Sequence, residues 1–195
     1  MFISVDENDK RYRIMKAAAK VFARKGFHRA KMEEIAQEAE VGKGTVYEYF
    51  SSKQQLFIEM FQVGRDYYLD TLVKKVAGED GLKNKLKKVA YLHLKFFSEH
   101  TDVARVMMQE FLQLGAEMYG EVLQTQKREI EVLQGLIEEG VRSGYFRVLD
   151  AKIAAYAFYG SIHAIGSLMI FRGEKPDLEK LSGEIVDVFL QGIKK

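Results

Sequence analysis

Cysteine and tryptophan are absent from these 195 residues, and proline occurs once, at Pro176. Without cysteine no disulfide framework and no thiolate metal site can form, which suits a reducing compartment. A single proline and little alternation of β-branched residues leave helical periods uninterrupted, so an all-α chain is expected. Long apolar runs are scarce as well. The longest candidate, Ile153 to Phe171, is broken by His163 and dotted with glycine and serine, and a membrane span of roughly 20 apolar residues is not expected. The first ten residues, MFISVDENDK, carry acids where a secretory signal has a basic segment and an apolar one, so the cytoplasm is the expected location. Only four histidines exist, at positions 28, 93, 100 and 163. None forms an i, i+4 pair with an acidic partner, which speaks against a helical metal site. There is no Gly-x-Ser-x-Gly elbow, no P-loop and no paired histidine and carboxylate at catalytic spacing. No enzyme, metal or cofactor is therefore expected.

What is present is apolar material in quantity, 47% of the chain, and a net charge of only +2 that is unevenly spread. Between Lys10 and Met32 lie nine basic residues and no acid: Lys10, Arg11, Arg13, Lys16, Lys20, Arg24, Lys25, Arg29 and Lys31. Taken alone, such a run is a solvated helix face. Beside a DNA-binding motif it reads as attraction for phosphate.

About nine helices are expected. The first runs from Lys10 to Lys25, where Ile14, Ala17, Ala18, Val21 and Phe22 form an i, i+3, i+4, i+7, i+8 stripe closed by Gly26. Two short helices follow at roughly Met32 to Ala39 and Lys43 to Phe50, then a longer one from Lys53 to about Ala77. Further helical periods cover roughly Leu82 to Glu99, Asp102 to Leu114, Glu117 to Val141, Asp150 to Phe171 and Asp177 to Ile193. The expected division is residues 1–53 and 54–195.

The stretch IAQEAEVGKGTVYEYFSSKQQLF, from Ile35 to Phe57, holds the motif that carries chemistry. Ile35, Ala36 and Ala39 make a small apolar face, and Glu40-Val41-Gly42 breaks the period for about three residues, the length a helix-turn-helix needs. The next helix opens on Lys43, Gly44 and Thr45, in the place from which a recognition helix reaches base edges in the major groove. Tyr47, Tyr49 and Lys53 carry hydroxyls and an ammonium suited to phosphates. The competing reading is that the tyrosines only pack. Val46 and Phe50 already fill that role, and Tyr47 and Tyr49, two positions apart, point away from one another, so at most one is expected to be buried.

Gly26-Phe27, Ile35-Ala36, Ala39, Val41, Gly44-Thr45, Tyr47, Tyr49-Phe50, Lys53 and Leu56 together resemble the N-terminal DNA-binding domain of the TetR family of transcriptional regulators. The resemblance implies an N-terminal three-helix helix-turn-helix domain and a larger C-terminal helical domain for ligand binding and dimerisation. It implies a homodimeric, ligand-responsive repressor on a double-stranded, pseudo-palindromic operator. It also assigns Lys43, Gly44 and Thr45 to base edges and Tyr47, Tyr49 and Lys53 to phosphates. Three positions depart from the family pattern. Lys31 stands where a hydroxyl cap is usual and cannot accept a helix N–H, though it offers DNA a charge. Glu40 replaces a turn glycine, so a positive φ there costs on the order of 1 kcal/mol. Gly42 replaces a serine cap, a loss of a few tenths of a kcal/mol.

The C-terminal part is rich in Met and aromatic residues. Tyr91, Phe97, Met107, Met108, Phe111 and Phe158 are candidates to line a pocket for a small apolar effector, against the plainer reading that such a stripe is core. His93, Gln109, Glu110 and His163 are the polar candidates to orient that effector. A fatty acyl compound fits the side-chain character, and a multidrug-type aromatic or cationic compound is the alternative. Small residues at Ala157, Gly160 and Ala164, with Leu181, Ile185, Val188 and Phe189 on the last helix, are the candidate homodimer interface, a four-helix arrangement. The alternative is packing within one subunit. An all-helical enzyme on a lipid-like substrate and a helical protein-binding module remain the competing classes, separable by duplex-binding measurements.

Overall fold

A computed structural model of the chain describes residues 9–101, 104, 105, 108 and 115–193, and among them every regular element is a helix. These are α1 (Lys10–Lys25), α2 (Met32–Glu38), α3 (Lys43–Tyr49), α4 (Lys53–Ala77), α5 (Leu82–Glu99), α6 (Gly115–Arg142), α7 (Ala151–Arg172) and α8 (Leu178–Ile193). The all-α expectation holds. The additional helix expected over roughly 102–114 falls almost wholly outside the described residues. Two compact units are formed, one reaching to Tyr67 together with Asp102–Leu123, the other Tyr68–Thr101 with Gln124–Lys195.

In the first unit, Asp9 caps α1 by accepting from the Arg11 N–H at 2.9 Å, and the apolar stripe of α1 supplies Ile14, Ala17, Ala18, Val21 and Phe22 to the core. Rings of Phe22, Phe27 and Phe57 meet at centroid separations of 5.2 to 5.5 Å, within the range where tilted aromatic pairs attract. Leu56, Phe57, Ile58 and Met60 of α4 join the same core, so its packing runs past the boundary expected at residue 53.

The α2–α3 turn is a Schellman motif. Val41 N–H donates to Ala36 O at 3.0 Å and Glu40 N–H to Gln37 O at 3.2 Å, satisfying carbonyls that the end of α2 leaves open. Glu40 takes φ 55°, the left-handed conformation glycine enters without penalty. Arg13 Nη2 donates to Ala39 O at 2.8 Å and so ties the turn to α1. At the other end of α2, Glu34 Oε2 accepts from Lys31 N–H at 3.2 Å. That is half of a capping box, and the lysine side chain has no acceptor to complete it.

In the second unit α5 packs on α7 and α8 around Leu86, Leu94, Leu133, Ile137, Phe158 and Val186. Asp150 Oδ1 caps α7 by accepting from Ile153 N–H at 3.0 Å, and Asp177 Oδ1 does the same for α8 from Glu179 and Lys180 N–H. By length and composition α7 is apolar enough to cross a membrane, with mean hydropathy 1.4 over its best window. The core helix of a globular protein passes the same test, and 39% of that window is buried. Ala154, Ala155, Phe158, Ile162, Met169 and Ile170 bury one side of α7. Its other side leaves Ile153, Tyr156, Leu168 and Phe171 exposed.

Candidate functional site

Two places carry chemistry, one in each unit. In the first unit α3 is anchored by Val46 and Phe50, both fully buried, and the Arg11 guanidinium lies 4.9 Å from the Phe50 ring centre. The opposite face is open: Lys43, Gly44, Tyr47 and Glu48 are exposed and Thr45 half-buried. Tyr47 is 45% exposed, whereas Tyr49 is half-buried and packs on the core. Only one of the two tyrosines therefore turns inward. The Lys43 ammonium pairs with Glu33 of α2 and lies 5.9 Å from the Tyr47 ring centre. This ion pair raises the Lys43 pKa above its ordinary value and lowers that of Glu33, chiefly through their shared hydrogen bond.

Lys53 has a different setting from the one its motif position suggested. Its Nζ donates to Phe27 O at 2.6 Å, His28 O at 3.1 Å and Ala30 O at 2.9 Å, and it lies 4.7 Å from the Phe27 ring centre. An ammonium has three donors, and here they hold the α1–α2 connection. The basic run on α1 is also partly neutralised. Arg11 pairs with Glu59, Arg13 with Glu40, Lys20 and Arg24 with Glu38, and Lys25 with Glu34. Hydrogen bonds from those cations hold the Glu38 and Glu34 carboxyls below their ordinary pKa. Lys31 is exposed at the start of α2.

The second unit contains a polar group of side chains inside an aromatic one. His93 and Glu129 are each only 6% exposed. The Tyr68 hydroxyl lies 3.1 Å from His93 Nδ1, and Glu129 Oε2 lies 3.4 Å from the same nitrogen without a hydrogen bond to it. Phe97, Tyr159 and His163 rings surround the His93 ring at 4.8, 5.5 and 6.0 Å. Burial, with the nearby Glu129 charge, pushes the Tyr68 and Tyr159 phenols far above their ordinary pKa. Burial lowers that of His163, with His93 adding to the effect and Glu129 opposing it.

The expected pocket residues that are described have different settings. Phe97 and His163 belong to this cluster, with ring centres 5.5 Å apart. Phe158 is fully buried against Phe189, at 4.7 Å between centroids. Tyr91 instead lines an open surface cleft with Glu79, Asn84, Lys87, Lys88 and Glu179. Met108 is half-buried, while Met107, Phe111, Gln109 and Glu110 lie outside the described residues. Of the candidate interface residues, Ala157, Gly160, Ala164 and Val188 are exposed, Val188 at 74%. Ile185 is buried in the subunit's own core, and Leu181 and Phe189 pack against it. Glu129 was not singled out from the sequence. The available signal was its spacing, since Glu129, Leu133 and Ile137 fall at i, i+4, i+8 and place an acid on the buried stripe of α6.

The family described as bacterial regulatory proteins, tetR family, matches residues 14–60, and the tetracyclin repressor-like C-terminal domain matches residues 79–193. The chain is 26% identical over 185 residues to the fatty acid metabolism regulator protein of Bacillus subtilis (strain 168), covering 94% of this chain and 95% of that one. Among solved structures, the fatty acid degradation regulator FadR from Bacillus halodurans is similar with a TM-score of 0.86 and 27% identity, over 96% of this chain and 98% of that one. FadR from Bacillus subtilis in complex with stearoyl-CoA is similar with a TM-score of 0.84 and 26% identity, over 93% and 98%. The chain belongs to the TetR family of transcriptional regulators.

Proposed function

We propose that the protein is a cytoplasmic, homodimeric repressor that binds a pseudo-palindromic operator and releases it when an acyl thioester occupies the second unit. The observation that carries the DNA-binding part is the open face of α3: a helix pinned by Val46 and Phe50 that turns Lys43, Gly44 and Tyr47 to solvent. Lys43 and Thr45 supply donors to base edges, Gly44 allows close approach and Tyr47 bonds phosphate. Tyr49 and Lys53 act mainly through packing and loop anchoring. Lys31 adds phosphate attraction. The homodimer rests on the exposed apolar side of α7 and on the exposed Val188 of α8, side chains of the kind that mark an interaction surface.

The acyl effector is supported by the apolar core of the second unit and by the stearoyl-CoA bound to the Bacillus subtilis relative. A cationic aromatic effector is the second reading, favoured by the Glu129 carboxyl among the rings of Tyr68, Tyr159 and Phe97. Fluorescence anisotropy with the duplex upstream of its own gene and with random duplex tests both. The specific duplex is expected to bind at least about 10³-fold more tightly, with stearoyl-CoA releasing it and tetraphenylphosphonium not. Thr45→Ala is expected to change preference among sequences, and Tyr47→Phe to weaken all duplexes alike. Equal binding to every duplex would refute the regulator reading. Release by the cation alone would select the second effector.

A further inference from the structure

The second unit contains a donor and an acceptor that do not serve each other. His93 Nε2 and Glu129 Oε2 are buried side-chain atoms without a hydrogen-bond partner among the described residues, on residues that are each more than nine-tenths buried. The surroundings offer little relief, because Phe97, Tyr159 and His163 present ring faces and edges to His93. Buried polar groups are almost always paired, and an exception calls for a cause. The pairing at the far nitrogen fixes what is missing. Assigning the buried Tyr68 hydroxyl as the donor to His93 Nδ1, 3.1 Å away, places the imidazole proton on Nε2, since the bond at one ring nitrogen sets the tautomer at the other. Nε2–H is then an unmatched donor and Glu129 Oε2 an unmatched acceptor.

We infer that His93 and Glu129 form a recognition point for one neutral group on the effector, a group that both accepts and donates a hydrogen bond. Its oxygen accepts from His93 Nε2–H while its own proton goes to Glu129 Oε2. A hydroxyl on an otherwise apolar chain does both with one atom, and a secondary amide does both with its C=O and N–H. The inference rests on the proposed effector function and adds to it a specificity. A site that hydrogen-bonds such a group rejects the analogue lacking it far more strongly than an apolar pocket distinguishes chain lengths. Tyr68 is the positioning residue, because it holds the imidazole in the required tautomer without touching the effector.

Isothermal titration of the intact protein with three kinds of probe tests the point: hexadecanoic acid, its monohydroxy isomers as a series, and N-methylhexadecanamide, which carries a secondary amide and no hydroxyl. Wild-type protein is expected to bind at least one hydroxy isomer or the amide at least tenfold more tightly than the plain acid, the better of the two identifying the group. Glu129→Leu is expected to bring that ratio to about one while raising the thermal midpoint of the free protein, because it removes an unpaired buried oxygen. Glu129→Gln, which keeps an acceptor, is expected to retain part of the selectivity, and Tyr68→Phe to reduce it without abolishing binding of the plain acid. Equal affinity for all probes in wild type and variants would overturn the inference and leave the acyl-effector reading intact. If no probe binds and none releases DNA, the effector reading itself falls and the inference with it. Selectivity unchanged in Glu129→Leu would show the pair to be structural only.

Discussion

A methyl group added at Gly44 would meet no atom within 4 Å, so the fold of the single chain does not require glycine at this position. Alanine there restricts the unfolded chain and favours the helix by up to about 1 kcal/mol. Recognition has the opposite demand, because the second residue of α3 is where backbone and base edges approach each other. Gly44→Ala is accordingly expected to raise the melting temperature while weakening operator binding. Differential scanning calorimetry and anisotropy on the same sample separate the two effects, and a variant that binds as tightly as wild type would place Gly44 away from DNA. Glu40 shows the same tension in the backbone. It holds φ 55° at a cost on the order of 1–2 kcal/mol, offset by the two Schellman hydrogen bonds and the Arg13 bond to Ala39 O.

Among the elements, α7 is held close to α5. A Cβ at Gly166 would overlap the Phe97 ring, so this glycine lets α5 bring Phe97 and His93 against α7. Gly166→Ala is expected to destabilise the protein by about 1–3 kcal/mol through overpacking, read as a lower urea midpoint. Adding Phe97→Leu should restore part of the loss, and additive effects of the two substitutions would mean that the residues are not in contact. The helices were legible in the sequence because their signals are local. The stripe from Ile14 to Phe22 and the Gly26 stop follow from neighbours a few residues apart, whereas the left-handed turn at Glu40 was expected only from the family resemblance.

The site was legible only in part, because its decisive pairings are distant in sequence. The motif position of Lys53 suggests a phosphate ligand, while the carbonyls of Phe27, His28 and Ala30 that its ammonium meets come from another part of the chain and leave no local signal. The nine cations on and after α1 look like one basic field until Glu33, Glu34 and Glu38 of α2 come alongside Lys43 and α1. Ile185 satisfies the same spacing as an interface residue yet is buried at home, since periodicity reports an apolar face and not what covers it.

For the whole molecule, binding of DNA and binding of effector are linked as coupled equilibria. An effector that weakens operator binding must itself be bound more weakly, by the same factor, when the operator is present. In the proposed dimer the two copies of α3 are set about one DNA turn apart, roughly 34 to 36 Å, which makes the operator's symmetry a consequence of the protein's. Methylation interference on a duplex selected from a random pool measures this most directly, because guanine N7 is exposed in the major groove. Two clusters of interfering N7 positions are expected, separated by about 10 to 10.5 base pairs, centre to centre. Interference confined to the minor groove, or no selected duplex at all, would contradict the proposed dimer.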